Sequence, residues 1–217
     1  MIDKEYLNFI YSKDNHIYPT KISKSENIFN NLNNKCKKDS MTNLKKENIK
    51  KMVKLKKIKK KKNSLNSTKI FEFGKYVGEL KGDKRDGKGI MYYNDGNIFK
   101  GYFKNDKAIK GIMQYDNGEV YDGDIKDGYR EGKGIFYYND GDMYEGDFKN
   151  HYKEGKGIYY FSNGDRYEGD FLDGLRNGKG IMYYINGDME IGYYSNDKKV
   201  GRHVIICDNE NISSELY

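Results

Sequence analysis

Residues with catalytic or metal-binding chemistry are few in this chain of 217 residues. The three histidines, His16, His151 and His203, are far apart, and no His-Glu-x-x-His pair is present to hold a catalytic zinc ion. The two cysteines, Cys36 and Cys207, lie near opposite ends of the chain and cannot form a disulfide framework or a four-ligand zinc site. The sequence also lacks a nucleophile elbow. It therefore predicts no catalytic residue, no metal site and no cofactor, and it argues against an enzyme.

Three glycine-containing segments resemble ligand-binding loops only superficially. The segments 128–133 and 174–179 have the glycines and lysine of a phosphate-binding loop. They are one residue too short, lack the following Ser or Thr, and lie between predicted strands rather than before a helix. The segment 139–142, Asn-Asp-Gly-Asp, lacks the alternating ligands and the terminal glutamate of a calcium loop. We interpret all three segments as parts of turns.

A lysine run between Lys45 and Lys62 is the other candidate site, with 11 lysines in 18 residues. It is typical of electrostatic attachment to an anionic membrane surface, where each basic group contributes about 1 kcal/mol before screening. A helix would place Lys56 and Lys60 in the same stripe as Ile49. An unfolded or loosely helical anchor is therefore favoured over an inserted amphipathic helix. The lysines of this candidate membrane or nucleic-acid patch are Lys50, Lys51, Lys54, Lys56, Lys57, Lys59, Lys60, Lys61 and Lys62.

Two alternatives to membrane attachment stay open for this run. It is also typical of a nuclear-import or nucleic-acid-binding tail. The run contains no arginine and no interleaved aromatic residue, so nucleic acid is the less favoured partner. The other alternative is a solubilising, low-complexity extension that folds back on the acidic part of the chain.

Charge and glycine divide the chain near residue 70. Residues 1–70 contain 19 lysines and 6 acidic residues and no glycine, whereas residues 71–217 hold 21 basic and 27 acidic residues and all 25 glycines. We expect segment 1–70 to be largely disordered or partly helical, because it has few large apolar groups to bury. The first residues lack a signal-peptide pattern, and no apolar run is long enough to span a membrane. These features predict a cytoplasmic location, with a nuclear one as the weaker alternative.

Residues 71–210 contain an internal repeat, and segment 211–217 follows as a short tail. The period is 23 residues, except for the second copy with 22. Glycines recur at three fixed positions of the period, and a period of this length indicates a stacked array. Copies 1 to 6 are the segments 76–98, 99–120, 121–143, 144–166, 167–189 and 190–210.

Each copy has the pattern of two antiparallel strands. Tyr144, Gly146 and Phe148 alternate with charged residues, as in a strand with one packed face. The segment 139–141, Asn-Asp-Gly, predicts a hairpin turn, whereas the polar segment 149–154 predicts a longer connection. The array is thus a meander of about twelve strands. The paired glycines, such as those in Gly155–Gly157, would leave room for a neighbouring aromatic ring.

Two copies depart from the common pattern. In copy 2, Ala108-Ile-Lys110 replaces the first glycine of the pair and drops a residue. In copy 6, Glu190 replaces the leading aromatic residue and His203 replaces the second glycine. Since terminal repeats are often atypical, we expect copy 2 to distort the array locally and copy 6 to cap it.

The recurring pattern Y-x-G-x-[FWIL]-x-x-G-x-x-x-G-x-G-x-[MFY]-x-Y-x-x-G closely resembles the MORN (membrane occupation and recognition nexus) repeat. The resemblance covers residues 76–210, with four good copies and two loose ones. It implies an elongated single-layer sheet with a groove of aromatic and glycine positions. Proteins of this family act as protein scaffolds, as dimerising arrays and as phospholipid or membrane binders. Some carry a lipid-kinase or methyltransferase domain, for which residues 1–70 leave no room.

These observations together predict a non-catalytic scaffold or adaptor. The partner would be a protein or a second copy of the chain, at a membrane or cytoskeletal surface. A phospholipid-binding module is the alternative, and an accessory role in lipid-kinase-type signalling is a remote one. The aromatic face, for binding or packing, comprises Tyr76, Phe99, Tyr121, Tyr144, Tyr167, Phe148 and Phe171. The structural glycines are Gly78, Gly101, Gly123, Gly146, Gly169, Gly89, Gly134, Gly157 and Gly180.

Overall fold

The computed structural model describes residues 67–209 and 211–217, which form one open antiparallel sheet of 14 strands. The chain divides into two units, residues 1–57 and 58–217, and all the described residues belong to the second. The predicted lysine patch lies outside the described residues. Within the described part, there is no helix long and apolar enough to cross a membrane.

Each strand pairs with the strands that precede and follow it in sequence. Copies 1 to 6 each supply two strands, from β2 to β13, which confirms the predicted meander. The sheet also extends beyond the array, because β1 begins at Ser67 and β14 lies within segment 211–217. The strands are β1 (Ser67–Phe71), β2 (Gly74–Lys81), β3 (Lys84–Tyr93), β4 (Ile98–Lys104), β5 (Lys107–Gln114), β6 (Val120–Lys126), β7 (Tyr129–Tyr137), β8 (Met143–Lys149), β9 (Tyr152–Tyr160), β10 (Arg166–Leu172), β11 (Leu175–Tyr183), β12 (Met189–Ser195), β13 (Lys198–Ile206) and β14 (Ile212–Leu216).

The strand register places like positions of successive copies in continuous rows across the sheet. We call the side that carries Tyr144 and Phe148 the aromatic face, and the side that carries Asp147 the opposite face. One row on the aromatic face consists only of glycines, each paired with the next across the strands β2 to β12. These are Gly78, Gly89, Gly101, Gly111, Gly123, Gly134, Gly146, Gly157, Gly169, Gly180 and Gly192.

The glycine row exists because aromatic rings lie flat on it. The ring of Tyr144 covers both Gly146 and Gly157, and a Cβ at Gly157 would lie 2.6 Å from the tyrosine Cζ. This confirms the room predicted beside Gly157, although the ring comes from the same copy. Gly155 has a different role, because it lies in a bulge with φ +62° beside the carboxylate of Asp147.

Two kinds of turn connect the strands. The predicted turn at 139–141 joins β7 to β8, and Gly141 has a φ of +95° there. The longer connection predicted at 149–154 is wrong, because only Asn150 and His151 separate β8 from β9. Both residues have positive φ values, 48° and 74°. Two such residues fit a type I′ turn, whose twist matches that of the paired strands.

The missing residue of copy 2 is absorbed in a smaller bulge. In copy 4, Gly146 faces Gly157 and Asp147 faces Glu154, so two residues bulge from β9. In copy 2, Tyr102 faces Lys110 and Phe103 faces Ala108, so only Ile109 bulges from β5. The glycine pairing is kept, and the expected distortion is confined to this bulge.

Candidate interaction surface on the repeat array

The leading tyrosines of the copies are buried and hydrogen-bonded within the array. Tyr76, Tyr121, Tyr144 and Tyr167 have no exposed surface. Each hydroxyl donates to the backbone carbonyl three residues further on, as Tyr144 does to Asp147 at 2.9 Å. Burial is the main cause that raises the pKa of these tyrosines. Their rings therefore pack the sheet, and they present no free hydroxyl to a ligand.

Phenylalanine side chains link one copy to the next on the aromatic face. Phe148 packs edge-on against Tyr121 of the preceding copy and Tyr144 of its own, with centroids 5.2 and 5.1 Å apart. Phe171 bridges Tyr144 and Tyr167 in the same manner. Phe99 occupies the tyrosine position in copy 2 and is also fully buried. Edge-to-face contacts of this kind add about 0.5–1.5 kcal/mol each beyond area burial.

A row of cationic side chains covers these rings at the two-residue turns. We call it the cation row. Each member pairs, across the two strands of its copy, with the fifth residue of that copy, as Lys153 pairs with Phe148. Arg130 lies 4.6 Å from the ring of Phe136, and Lys153 lies 4.5 Å from that of Tyr159. Copy 2 alone has an apolar residue here, Ala108, which faces Phe103. The cation row consists of Arg85, Arg130, Lys153, Arg176 and Lys199.

The arginines of the cation row also hold the turn of the following copy. Arg130 donates from Nη2 to the carbonyl of His151 at 3.0 Å, and His151 Nδ1 accepts from the Arg130 backbone at 3.1 Å. Burial, and then the neighbouring Arg130, lower the pKa of His151. This histidine thus serves the contact between copies. Arg85 and Arg176 make corresponding bonds to Asp106 and Asp197.

Copy 6 replaces the tyrosine by a buried pair of polar residues. The ring of His203 lies against Gly192, and its Nε2 is 2.9 Å from the Tyr193 carbonyl. That carbonyl is three residues after Glu190, so it corresponds to the acceptor of the tyrosine hydroxyls. Glu190 fills the tyrosine position, with Oε1 3.0 Å from His203 Nδ1. The pair occupies the space of one tyrosine ring and supplies its hydrogen bond.

The carboxylate of Glu190 has two further partners. Tyr184 and Lys199 each donate to Oε2 at 2.6 Å. Burial would raise the pKa of Glu190, but these hydrogen bonds outweigh it and hold the pKa below its ordinary value. The sequence pattern showed both departures without connecting them. The available signal was that the tyrosine and the glycine against which its ring packs are both replaced in the same copy.

Exposed apolar side chains form a ridge on the opposite face at three successive two-residue turns. We call it the turn ridge: Tyr129, Tyr152, Leu172 and Leu175, which are 49%, 58%, 47% and 39% exposed. Tyr129 packs on His151 of the next turn, and Tyr152 reaches the next turn at Gly174. This ridge was not evident from the sequence, because the residues around these turns are mostly polar and predict exposed connections.

The other candidate positions are parts of the sheet. Lys133, from the segment that resembles a phosphate loop, lies in β7 and pairs with Asp147 on the opposite face at 2.7 Å. Lys179 of the second such segment lies in β11. Cys207 is half-buried and carries a free thiol. Among the described residues, no group of three or more His, Cys, Asp or Glu side chains is placed to hold a metal ion.

Comparison with known families decides the nature of the array. The MORN repeat model matches residues 76–98, 121–143, 144–166 and 167–189. The chain is a MORN-repeat protein. The matched segments are copies 1, 3, 4 and 5, whereas the two departing copies keep the fold without matching the model. No curated protein sequence matches the chain.

Three solved structures resemble this MORN array distantly. The TCP domain of Drosophila melanogaster SAS-4, solved with a proline-rich motif of Ana2, is 16% identical with a TM-score of 0.42, over 70% of this chain and 95% of that one. The TCP10 domain of Danio rerio CPAP is 14% identical with a TM-score of 0.25, over 69% and 94%. Virginiamycin B lyase from Staphylococcus aureus is 12% identical with a TM-score of 0.18, over 69% of each chain. These likenesses are too weak to bear on function.

Proposed function

We propose that this MORN-repeat protein is a non-catalytic scaffold or adaptor that binds a protein partner or a second copy of itself. The turn ridge is the observation that carries this proposal. A contiguous patch of exposed apolar side chains marks an interaction site, and tyrosine is enriched among the residues that carry binding energy. The proposed location is the cytoplasm, at a membrane or cytoskeletal surface.

The geometry of the ridge suits a protein surface. Lys126 pairs with Tyr129, Lys149 with Tyr152, and Leu172 with Leu175. Each copy contributes two strands, so successive ridge positions are about 10 Å apart and three turns span about 20 Å. Lysines at two of the turns give this apolar strip a charged border. A ridge of this size supplies the central anchors of an interface, and the surrounding polar residues would form its rim.

Self-association is the first form of the proposal to test. The molar mass of the full chain is measured by light scattering and sedimentation over a range of concentrations. The test variant is Tyr152→Ser with Leu172→Ser, and Tyr102→Ser is the control, since Tyr102 is 48% exposed but lies outside the ridge. We expect an oligomer that only the ridge variant weakens. If the chain is monomeric, cross-linking in the cells that express it should capture a partner that depends on the same two residues. Binding that persists in the ridge variant contradicts the proposal.

Membrane attachment is the second candidate function, and the lysine run Lys45–Lys62 is the observation that favours it. The full chain and a variant with serine at the nine patch lysines are sedimented with anionic or neutral liposomes at low and high salt. Attachment through the run predicts salt-sensitive pelleting with anionic liposomes that the variant loses. Equal pelleting of the variant would assign lipid binding to another part of the chain. If neither protein pellets, the membrane function is wrong.

A further inference from the structure

The cation row is interrupted at a single copy, and this interruption coincides with a cavity. In every other copy a half-buried lysine or arginine lies over the aromatic rings at the two-residue turn. In copy 2 this position is Ala108, whose side chain carries no charge and ends at a methyl group. A cavity of about 320 Å³ lies here, lined by Phe73, Tyr93, Phe103, Ala108 and the turn Asp127–Gly128, together with Arg85, Asp106 and Lys107. The same copy lacks one residue of the repeat.

The neighbouring copies show what occupies the corresponding space. In copy 4, the Lys153 ammonium lies 5.9 Å from Tyr138, 5.8 Å from Tyr144 and 5.6 Å from Phe171. Register equates Tyr138 with Tyr93 of the cavity and Tyr144 with Phe99. The other two rings near Lys153, Tyr159 and Phe171, correspond to Met113 and Ile125 in the register. The following turn ends in glycine in both cases, Gly174 for copy 4 and Gly128 for copy 2. Arginine, by contrast, is found where the following turn ends in Asp or His. The closest internal template for the cavity is thus a lysine side chain.

The charged groups that line the cavity balance one another, with two cations and two carboxylates. Arg85 is paired with Asp106 at 3.4 Å, and Lys107 is paired with Asp127 at 2.5 Å, so both lining cations already have carboxylate partners. Asp127 keeps half of its side-chain surface exposed, at 53%, and can take a second ammonium partner. The faces of the tyrosine and phenylalanine rings carry the negative part of the aromatic quadrupole, which attracts cations and repels anions.

We propose that this cavity binds the side-chain ammonium of a lysine from a partner polypeptide, which completes the cation row at copy 2. The inference rests on the proposed function, because a bound protein would deliver the lysine. It adds the chemistry of recognition at one position of the aromatic face. Partner sequences with an exposed lysine flanked by small residues fit best, since Phe73 and the turn 127–128 line the cavity and Phe73 is 49% exposed.

The test uses n-butylammonium chloride, which has the length and charge of a lysine side chain, and 1-butanol as its neutral counterpart. Binding to the full chain is followed by NMR shifts of the Ala108 methyl group and the Tyr93 ring. We expect saturable shifts with the ammonium at millimolar concentration, and none that saturate with the alcohol. Ala108→Lys fills the cavity with an ammonium group of the chain itself, so it should abolish these shifts and raise the denaturation midpoint. Shifts that persist in this variant, observed at Tyr93, or equal shifts with the alcohol would overturn the proposal.

A matched variant in copy 4 keeps the test valid even if the Ala108→Lys variant fails to fold. Lys153→Ala should open a second cavity of the same kind and lower the denaturation midpoint. n-Butylammonium should then raise that midpoint by more than it does for the wild type. Absence of this rescue, together with absence of binding at copy 2, refutes lysine recognition whether or not the Ala108→Lys variant folds.

The source of the lysine is tested with a peptide. The probe is acetyl-Gly-Ser-Lys-Ser-Gly-amide, with its acetyl-lysine form as control. We expect at least tenfold weaker binding of the acetylated peptide. If serine at the nine patch lysines strengthens peptide binding tenfold or more, the chain's own lysines occupy the cavity and the partner assignment is wrong. None of these measurements requires an oligomer. The ridge variant therefore tests the proposed scaffold function, and the binding measurements test lysine recognition, so that either can fail without the other.

Discussion

The Glu190–His203 pair of copy 6 predicts that a tyrosine of another copy can be exchanged for the same two residues. Copy 4 is the suitable host, since Tyr138 and Lys153 stand at the positions of Tyr184 and Lys199, the two donors to Glu190. The exchange is Tyr144→Glu together with Gly157→His. We expect each single substitution to be strongly destabilising and the double variant to recover part of the loss.

The magnitudes follow from the packing in copy 4. Tyr144→Glu removes a fully buried ring, which costs about 3–5 kcal/mol, and it puts a carboxylate in its place. Gly157→His forces a side chain into the Tyr144 ring, an overpacking that costs about 1–3 kcal/mol or more. In the double variant the imidazole occupies the space of the ring, and it can pair with the carboxylate and the carbonyl of Asp147. We expect the double variant to be about 1–3 kcal/mol more stable than the sum of the single effects, as for residues that share one network.

The assay is a double-mutant cycle by urea denaturation of the full chain, followed by circular dichroism and tyrosine fluorescence. The control is the same exchange in copy 5, Tyr167→Glu with Gly180→His, where Phe161 replaces the tyrosine donor and leaves the carboxylate one hydrogen bond short. Coupling should be smaller there. Strict additivity in copy 4, or equal coupling in both copies, would refute the idea that the pair substitutes for the ring.

Three further predictions concern single hydroxyl and carboxyl groups. Tyr144→Phe should lower the free energy of unfolding, measured by urea denaturation, by about 1 kcal/mol, because it removes the hydrogen bond to the Asp147 carbonyl. Phe99→Tyr in the otherwise unchanged chain should raise it by a similar amount, because it adds the corresponding hydroxyl to copy 2. The pKa of Glu190 in the folded protein lies below its ordinary value of 4.5, so the ionised carboxylate stabilises the fold at pH values above 4.5. This stabilisation is lost as the pH falls through the pKa of the folded state. Glu190→Gln should therefore flatten the acid limb of stability against pH, and an unchanged limb would contradict the pairing. Burial raises the pKa of Tyr137 to about 12, so stability should fall as pH rises from 10, and Tyr137→Phe should reduce that fall without loss at neutral pH.

The strand pairing was predictable because its signals are local. Alternation in segments such as Tyr144–Phe148 has a period of two residues, and Asn-Asp-Gly at 139–141 favours a tight turn. Six phased copies multiply a weak local signal into a clear one. The glycine row followed from the same columns, since a glycine repeated at fixed register in a strand indicates close packing against its face.

The two-residue turns and the turn ridge were not predictable from composition. The segment 149–154 is polar, and Asn150 and His151 lack the glycine that marks a left-handed turn. Their conformation is supported by bonds from Arg130, which lies about one copy earlier in the sequence. Such a contact depends on the stacking of whole copies, so a window within one copy does not contain it. The exposure of Tyr152 follows from the same short turn.

The bonds between copies show that the array alternates with a period of two copies. Arg85, Arg130 and Arg176 belong to copies 1, 3 and 5, and each holds a turn of the following copy that begins with asparagine. The turns of copies 3 and 5 contain Asp-Gly instead, and they follow Ala108 and Lys153. In the turns that the arginines hold, the side chain of the second turn residue accepts a hydrogen bond from the backbone N–H of that arginine. A glycine at this turn position has no such side chain, so more space is left beside the cation-row position of the preceding copy. Lysine fills that space in copy 4, and the alanine of copy 2 leaves it as the cavity. The site proposed for a partner's lysine therefore arises where the two-copy period provides room and the cation-row position holds alanine, which is why neither a single repeat nor the family pattern reveals it.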